Sequence, residues 1–149
     1  MAELYGEDPK NNGNLGRIVG DKQMARLVGL LKSHGGQVVC GGTYDEKARY
    51  IAPTVVRATA DSPLMGEEIF GPILVVVPFR ELREAIAFVN ARPKPLSLYL
   101  FSNSREFQQT VVQNTSSGGV TINATLLHVG HPELPFGGVG ASGMGAYHG

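Results

Sequence analysis

An alternation of five segments between residues 73 and 122 limits the fold of this chain more than any other feature. Ile73 to Val77 is an uninterrupted apolar run, the pattern of a strand covered on both faces. Glu81 to Asn90 then sets Leu82, Ala85, Ile86 and Val89 on one helical face, and Pro93 forbids continuation. Leu96 to Phe101 is again strand-like. Asn103 followed by Glu106 resembles a helix start, Phe107 and Val111 give that helix a buried side, and Gly118-Gly119 ends it. Val120 to Ile122 is the third strand. Strand, helix, strand, helix, strand predicts an α/β fold built of parallel strand-helix-strand units with right-handed crossovers. In such sheets ligands collect beyond the carboxyl ends of the strands. The third strand runs into Asn123, and the stretch from Phe136 to Gly149 is dense in glycine, as backbone that turns sharply or approaches something closely must be.

The first half has less rhythm. Residues 1–20 are rich in Gly, Asn and Asp and read as loop, with Leu15 to Val19 able to begin a helix. From Asp21 to Ser33 the apolar residues Met24, Leu27, Val28 and Leu31 recur at helical spacing, with Asp21 as the expected N-cap and Gly35-Gly36 as the stop. Lys22, Arg26 and Lys32 fall on the outer, solvated face of that helix. Gln37 to Cys40 is a short strand followed by a Gly41-Gly42 turn, and Tyr50 to Arg57 is β-prone, with Pro53 marking an edge or irregular strand.

Bulk properties exclude several functions. The length of 149 residues suits one ordinary domain. Thirteen basic and thirteen acidic side chains cancel, so no strong field points to nucleic acid or an anionic membrane. The longest apolar run, Ile73 to Pro78, is too short for a membrane segment, and the first residues lack the basic and apolar regions of a signal peptide. A single cysteine makes no internal disulfide, so a reducing, cytoplasmic setting is expected.

Glu67-Glu68-Ile69-Phe70-Gly71-Pro72 is the most informative stretch for chemistry. A carboxylate two residues before an aromatic ring can accept both hydrogens of a ribose diol, and the ring can pack beside a sugar or a nicotinamide. Spacing alone favours a polar turn before a buried strand, with Phe70 in the core. The same stretch is similar to the signature block of aldehyde dehydrogenases. Flanking stretches agree in order along nearly the whole chain: Arg49 to Val55, Lys94 to Tyr99, Thr115 to Asn123, and Leu134 to Gly145. Together they resemble the class 3, fatty-aldehyde type of that family, and residues 1–149 correspond to a C-terminal portion of its catalytic domain.

The resemblance implies an NAD(P)-dependent oxidation of aldehydes to carboxylic acids, with NAD or NADP as cofactor, a small-molecule aldehyde as substrate and a homodimer as the assembled enzyme. It implies that Glu68 holds the nicotinamide ribose and Phe70 packs beside it. It makes Asn123 a site-organising residue and puts Phe136 near the aldehyde tunnel, with Gly138 and Ser142 in the turn that follows. It also implies that the nucleophilic cysteine, the general base and the cofactor domain lie upstream of everything here, so no catalytic residue is assigned in this chain. The alternative expectation is a catalytically incompetent truncated product, or a fragment that pairs with complete subunits.

Other motifs give less. Cys40 ends the run Val38-Val39 and reads as a small buried hydrophobe. Gly138 to Gly143 has the letters of a dinucleotide fingerprint but lacks the strand, the helix and the downstream acid which that motif requires. His128 and His131 read as loop histidines, with no further ligands to complete a metal set. Thr115-Ser116-Ser117 reads as helix-end chemistry, and the Asn114 and Asn123 sequons as sequons in form only.

Overall fold

The computed structural model describes residues 2–149, and the chain forms two compact units, Met1–Pro78 and Phe79–Gly149. Residue 1 of the expected N-terminal loop lies outside the described residues.

In the first unit a short helix, α1 (Ala2–Tyr5), and a single 3-10 turn (Pro9–Asn11) precede the main helix, α2 (Asp21–Lys32). Met24, Leu27, Val28 and Leu31 are all buried, as their spacing predicts. Gly20 is the N-cap, in extended backbone, and Asp21 is the first helical residue; its carboxylate accepts from the Arg49 Nε at 2.7 Å instead of capping the helix. Leu15 to Val19 forms no helix, because its backbone is spent on another loop: the Ile18 N–H donates to the Arg49 carbonyl at 2.9 Å.

Five strands follow in this unit: β1 (Gln37–Cys40), β2 (Tyr44–Asp45), β3 (Tyr50–Ile51), β4 (Thr54–Arg57) and β5 (Ile73–Val76). β2 and β3 pair as a small antiparallel hairpin. The other three form one sheet in the order β1-β4-β5, with β1 antiparallel and β5 parallel to β4. β4 is therefore central, not an edge. Pro53 falls in the break between β3 and β4, so its missing N–H removes no ladder bond.

The parallel register Thr54↔Ile73 and Val56↔Val75 turns one face of the sheet toward α2, where Val56, Ile73, Leu27, Leu31 and Leu64 make the core. The other face is bare: Leu74 is 61% exposed and Val76 44%. The expectation that this run is covered on both faces is not met within the chain. Cys40 pairs with Val55 across a bulge in β1 and is only half-buried, more open than its apolar neighbours suggest.

The second unit contains α3 (Leu82–Asn90), β6 (Ser97–Leu100), α4 (Arg105–Asn114) and β7 (Gly119–Ile122). β6 and β7 are parallel, so β6-α4-β7 is a complete strand-helix-strand unit and the α/β class holds. The three expected parallel strands do not form one ladder, since β5 bonds to β4 and β6 bonds to β7. Ser104, not Asn103, caps α4: its hydroxyl accepts from the Phe107 N–H at 3.2 Å. Thr115 closes that helix, donating to the Val111 carbonyl at 2.8 Å. Among the described residues no helix is long and apolar enough to cross a membrane, and no cluster of His, Cys, Asp and Glu is arranged to hold a metal.

Two outcomes test this picture. Leu27→Ala removes a fully buried side chain at the α2–sheet contact and should destabilise the first unit by about 2–5 kcal/mol, read from amide exchange in α2 and β4. The Asp45 carboxyl, which accepts from Lys10 Nζ at 2.7 Å and from the Ala48 N–H at 3.1 Å, is held below the usual carboxylate range, chiefly by Lys10. Because its folded value is lowered, the support it gives is complete above the ordinary carboxylate value and is lost as pH falls through the lowered one. A carboxyl NMR titration of Lys10→Met should show Asp45 moving back up.

Candidate functional site

The Glu67–Pro72 segment must cross helix α2 before entering β5, and glycine is what lets it pass. A Cβ at Gly71 would lie 2.8 Å from both Leu27 Cδ atoms. Beyond it, the Pro72 carbonyl accepts from the Thr54 N–H at 2.8 Å and starts the parallel ladder.

Two side chains of α2 reach over to this segment. The Arg26 guanidinium donates to Glu67 Oε1 at 2.7 Å, to Gln23 Oε1 at 3.0 Å and to the Ile69 carbonyl. Gln23 Nε2 in turn donates to the Phe70 carbonyl at 3.5 Å. Arg26 is thus not a merely solvated residue of the outer face. Its helical position puts it beside the crossing segment, and a planar guanidinium can serve several acceptors at once.

Phe70 is held at φ +47, a left-handed conformation that strains a bulky residue by roughly 1–3 kcal/mol. A hydrogen bond from a charged donor contributes about 1.5–3 kcal/mol, so the Arg26 contact to the flanking carbonyl is of the right size to offset the strain. The result is a phenyl ring 81% exposed, which rules out the core position that spacing alone allowed.

Glu68, two residues before Phe70, is also exposed. None of the described residues gives its carboxylate a hydrogen bond or ion pair, in contrast to its neighbour Glu67, which Arg26 holds. Glu68 and Phe70, with Arg17, Val19, Gln23 and Arg26, line an open depression of about 670 Å³. A carboxylate with both oxygens available, in the same depression as an exposed flat ring, suits a vicinal diol attached to a planar group.

The second unit carries the other expected residues. Asn123 ends β7 at φ +57, a conformation that asparagine tolerates. Its amide closes on Ser102 from both sides, Oδ1 accepting from the backbone N–H at 2.8 Å and Nδ2 donating to the carbonyl at 3.0 Å. The carboxyl ends of β6 and β7 are thereby tied together.

Phe136 and Tyr147 exchange backbone hydrogen bonds at 2.7 Å in both directions and close the glycine-rich segment into a loop. Within that loop Ser142 Oγ accepts from the Val139 N–H at 2.9 Å and donates to the Val139 carbonyl at 3.1 Å. A Cβ at Gly138 would fall 2.1 Å from the Ser142 carbonyl oxygen, so only glycine fits. A 3-10 turn at Gly140–Ser142 stands where a dinucleotide fingerprint would need a helix.

Behind Phe136 sits His128, a loop histidine whose burial no local sequence pattern predicts. His128 is buried, with Nε2 3.2 Å from Ser97 Oγ and Nδ1 2.9 Å from Thr121 Oγ1. Its ring meets Tyr99 edge-on at 5.9 Å and Phe136 at 5.5 Å. Ser97 and Tyr99 pair in register with Gly119 and Thr121, so all four share one sheet face, and His128 is seated on that face. A signal was present: polar Ser97 and Thr121 alternate with apolar residues inside short strands, which marks a face with something polar to satisfy.

The profile of the aldehyde dehydrogenase family matches residues 3–149. The chain belongs to the aldehyde dehydrogenase family. It is 50% identical over its whole length to the rat "Aldehyde dehydrogenase, dimeric NADP-preferring", covering 33% of that protein. Human "Aldehyde dehydrogenase family 3 member B1" is 52% identical, again over the whole chain and 32% of the relative. The structure of Staphylococcus aureus AldH in a substrate-bound state superposes with a TM-score of 0.94 at 52% identity, covering 99% of this chain and 32% of that one. The chain therefore spans about a third of the length of the relatives it matches. The class 3 resemblance read from the motifs agrees with these relatives.

The structure brings two of the expected aldehyde dehydrogenase residues, Glu68 and Phe70, to one depression in the first unit. In the second it gathers Phe136, Gly138 and Ser142 in one loop and puts Asn123 at the strand ends. Gly119→Ala should be poorly tolerated, because the new Cβ would sit 2.8 Å from His128 Cδ2. We expect a loss of roughly 1–3 kcal/mol, as for overpacking, smaller in the Gly119→Ala, His128→Ala double variant than the two single losses combined. Amide exchange in β6 and β7 measures both.

Proposed function

We propose that this chain is the C-terminal part of the catalytic domain of an NAD(P)-dependent aldehyde dehydrogenase, supplying the nicotinamide-ribose grip and part of the aldehyde tunnel. The observation that carries the proposal is the pairing of a Glu68 carboxylate, unpartnered among the described residues, with a strained, exposed Phe70 in one depression. Its residues fit the cofactor: two carboxylate oxygens match two ribose hydroxyls, and the phenyl face matches a nicotinamide edge. When bound, the nicotinamide accepts the hydride that turns an aldehyde adduct into an acid derivative. The residues here bind and orient, and positioning of this kind accounts for much of such catalysis.

Phe136, backed by His128, offers an aromatic wall to an apolar aldehyde, while Asn123, Gly138 and Ser142 shape the backbone around it. The name of the rat relative supports NADP as one cofactor and a dimer as the assembly. A cytoplasmic setting belongs to the same reading. The family nucleophile is not among these 149 residues. Cys40 lies in a ladder with Val55 and does not line the depression.

Three measurements test the proposal. The isolated chain should leave hexanal and benzaldehyde unoxidised with NAD or NADP; turnover that survives Cys40→Ala would overturn the assignment of its chemistry. Nicotinamide mononucleotide, which carries the ribose and the ring without the adenine half, should bind the chain weakly, and Glu68→Gln should weaken that further. Grafting this chain in place of the matching third of Staphylococcus aureus AldH should preserve NAD(P)-linked aldehyde oxidation. In the graft, Glu68→Gln should lower kcat/KM by about 10–100-fold, the worth of charged hydrogen bonds to the ribose. An unaffected graft variant would remove Glu68 from the site.

A further inference from the structure

We propose that Arg26, assisted by Gln23, is a positioning residue that sets the backbone angle of Phe70 and so holds the ring and Glu68 ready for a ligand. The inference rests on the nicotinamide-ribose reading of the depression, but its geometric core stands apart from it. The conformation of Phe70 is the relative rotation of the two peptide planes that flank its Cα. One plane carries the Ile69 carbonyl and the other carries the Phe70 carbonyl. The Arg26 guanidinium donates to the first, and Gln23 Nε2 donates to the second at 3.5 Å. Arg26 Nε also holds Gln23 Oε1 at 3.0 Å, which aims the amide of Gln23 at its target. Both planes are thus gripped from one helix, α2, whose adjoining face is anchored in the core by Leu27 and Leu31.

The contact of Arg26 Nη1 with Glu67 Oε1 at 2.7 Å adds a further hold on the same segment, at a half-exposed carboxylate. An ion pair of that kind contributes little by itself. The carbonyl grip, not the Glu67 pair, therefore does the positioning. With Arg26 removed, Phe70 is free to leave φ +47 for the extended backbone that a phenylalanine ordinarily prefers. The ring would then swing away from Glu68, a change that the Phe70 coupling reads separately from any direct effect of Arg26, which itself lines the depression.

The experiment compares the unmodified chain with Arg26→Met, Arg26→Lys, Gln23→Ala and Glu67→Gln. Three readouts are taken: the amide–α-proton coupling of Phe70, amide exchange at residues 69–71 relative to Leu27 and Val28, and titration with nicotinamide mononucleotide. Arg26→Met should change the Phe70 coupling and speed exchange at 69–71 while leaving the α2 amides protected. It should also weaken mononucleotide binding by about tenfold, the net worth of roughly one hydrogen bond to a charged donor. Arg26→Lys should fall between, because a single ammonium cannot serve the same three acceptors. Glu67→Gln should stay within about twofold of the unmodified chain, as expected for an exposed ion pair. Gln23→Ala, which removes only the second grip, should shift the Phe70 coupling in the same direction and decides the question if Arg26→Met does not fold.

The inference is overturned if the Phe70 coupling is unchanged in both Arg26→Met and Gln23→Ala, or if Glu67→Gln is as harmful as Arg26→Met. A general loss of protection across α2 would mean a merely structural role and would equally overturn it. If the unmodified chain fails to bind the mononucleotide, the ribose reading falls, while the Phe70 coupling still decides the positioning claim.

Discussion

Gly71 passes close over Leu27, so that a side chain there would press on the Leu27 methyl groups, and that close crossing shapes the first unit. Leu27 is fully buried because α2 is pressed onto the sheet formed by β4 and β5. The segment crossing above it is glycine at the point of contact, where any larger residue would have to displace the Leu27 methyl groups, and it then enters the ladder at Ile73 in fixed register. Glu67, Glu68 and Phe70, just before the crossing, stand in solvent beside the shoulder of α2, while Ile69 between them packs against the core. There Arg26 and Gln23 find the segment's carbonyls, and Phe70 acquires a backbone angle it would not adopt alone. A site for a ligand is in this sense a by-product of a packing constraint: the core decides where the loop rises, and the helix shoulder decides how it is bent.

Much of this was legible in the sequence, and the reasons differ by element. Met24, Leu27, Val28 and Leu31 announce α2 because burial on one helical face demands that spacing. The unit β6-α4-β7 was readable from apolar runs separated by an amphipathic stretch and a Gly-Gly stop. The partners of the strands were not readable. β5 looks like a companion of β6 by sequence order, yet its hydrogen bonds go to β4, because nothing in a strand's own composition names its neighbour. Asp21 and Asn103 were expected as caps, and the adjacent Gly20 and Ser104 took those positions, an error of one residue that cap chemistry alone does not resolve.

The candidate site divides along the same line. Glu68 and Phe70 were singled out by their chemistry and spacing, and the structure sets them in one depression. Arg26 was passed over because a lysine- and arginine-bearing helix face is usually just solvated. What distinguishes it is a long-range contact 43 residues away in sequence, which no local pattern carries. His128 was passed over for the opposite reason. It lies in an irregular stretch where no periodicity predicts burial, yet Ser97 and Thr121 satisfy both of its ring nitrogens on the sheet beneath. Local rules find residues whose role is set by their own element and miss those whose role is set by a neighbour's.

The same division bears on how an exposed aromatic ring can be held still. A phenylalanine 81% exposed has little packing to restrain it. Order has to be imposed through the backbone, which means through carbonyl groups that a neighbouring helix can reach. Glu68, two residues earlier, is constrained by the same segment without any bond to its own carboxylate, so its oxygens remain available to an incoming diol. Had the segment been anchored through the Glu68 side chain instead, the loop would be equally rigid and the carboxylate already occupied. Anchoring through Glu67 and the main-chain carbonyls is the arrangement that fixes the geometry while keeping one acidic group unspent.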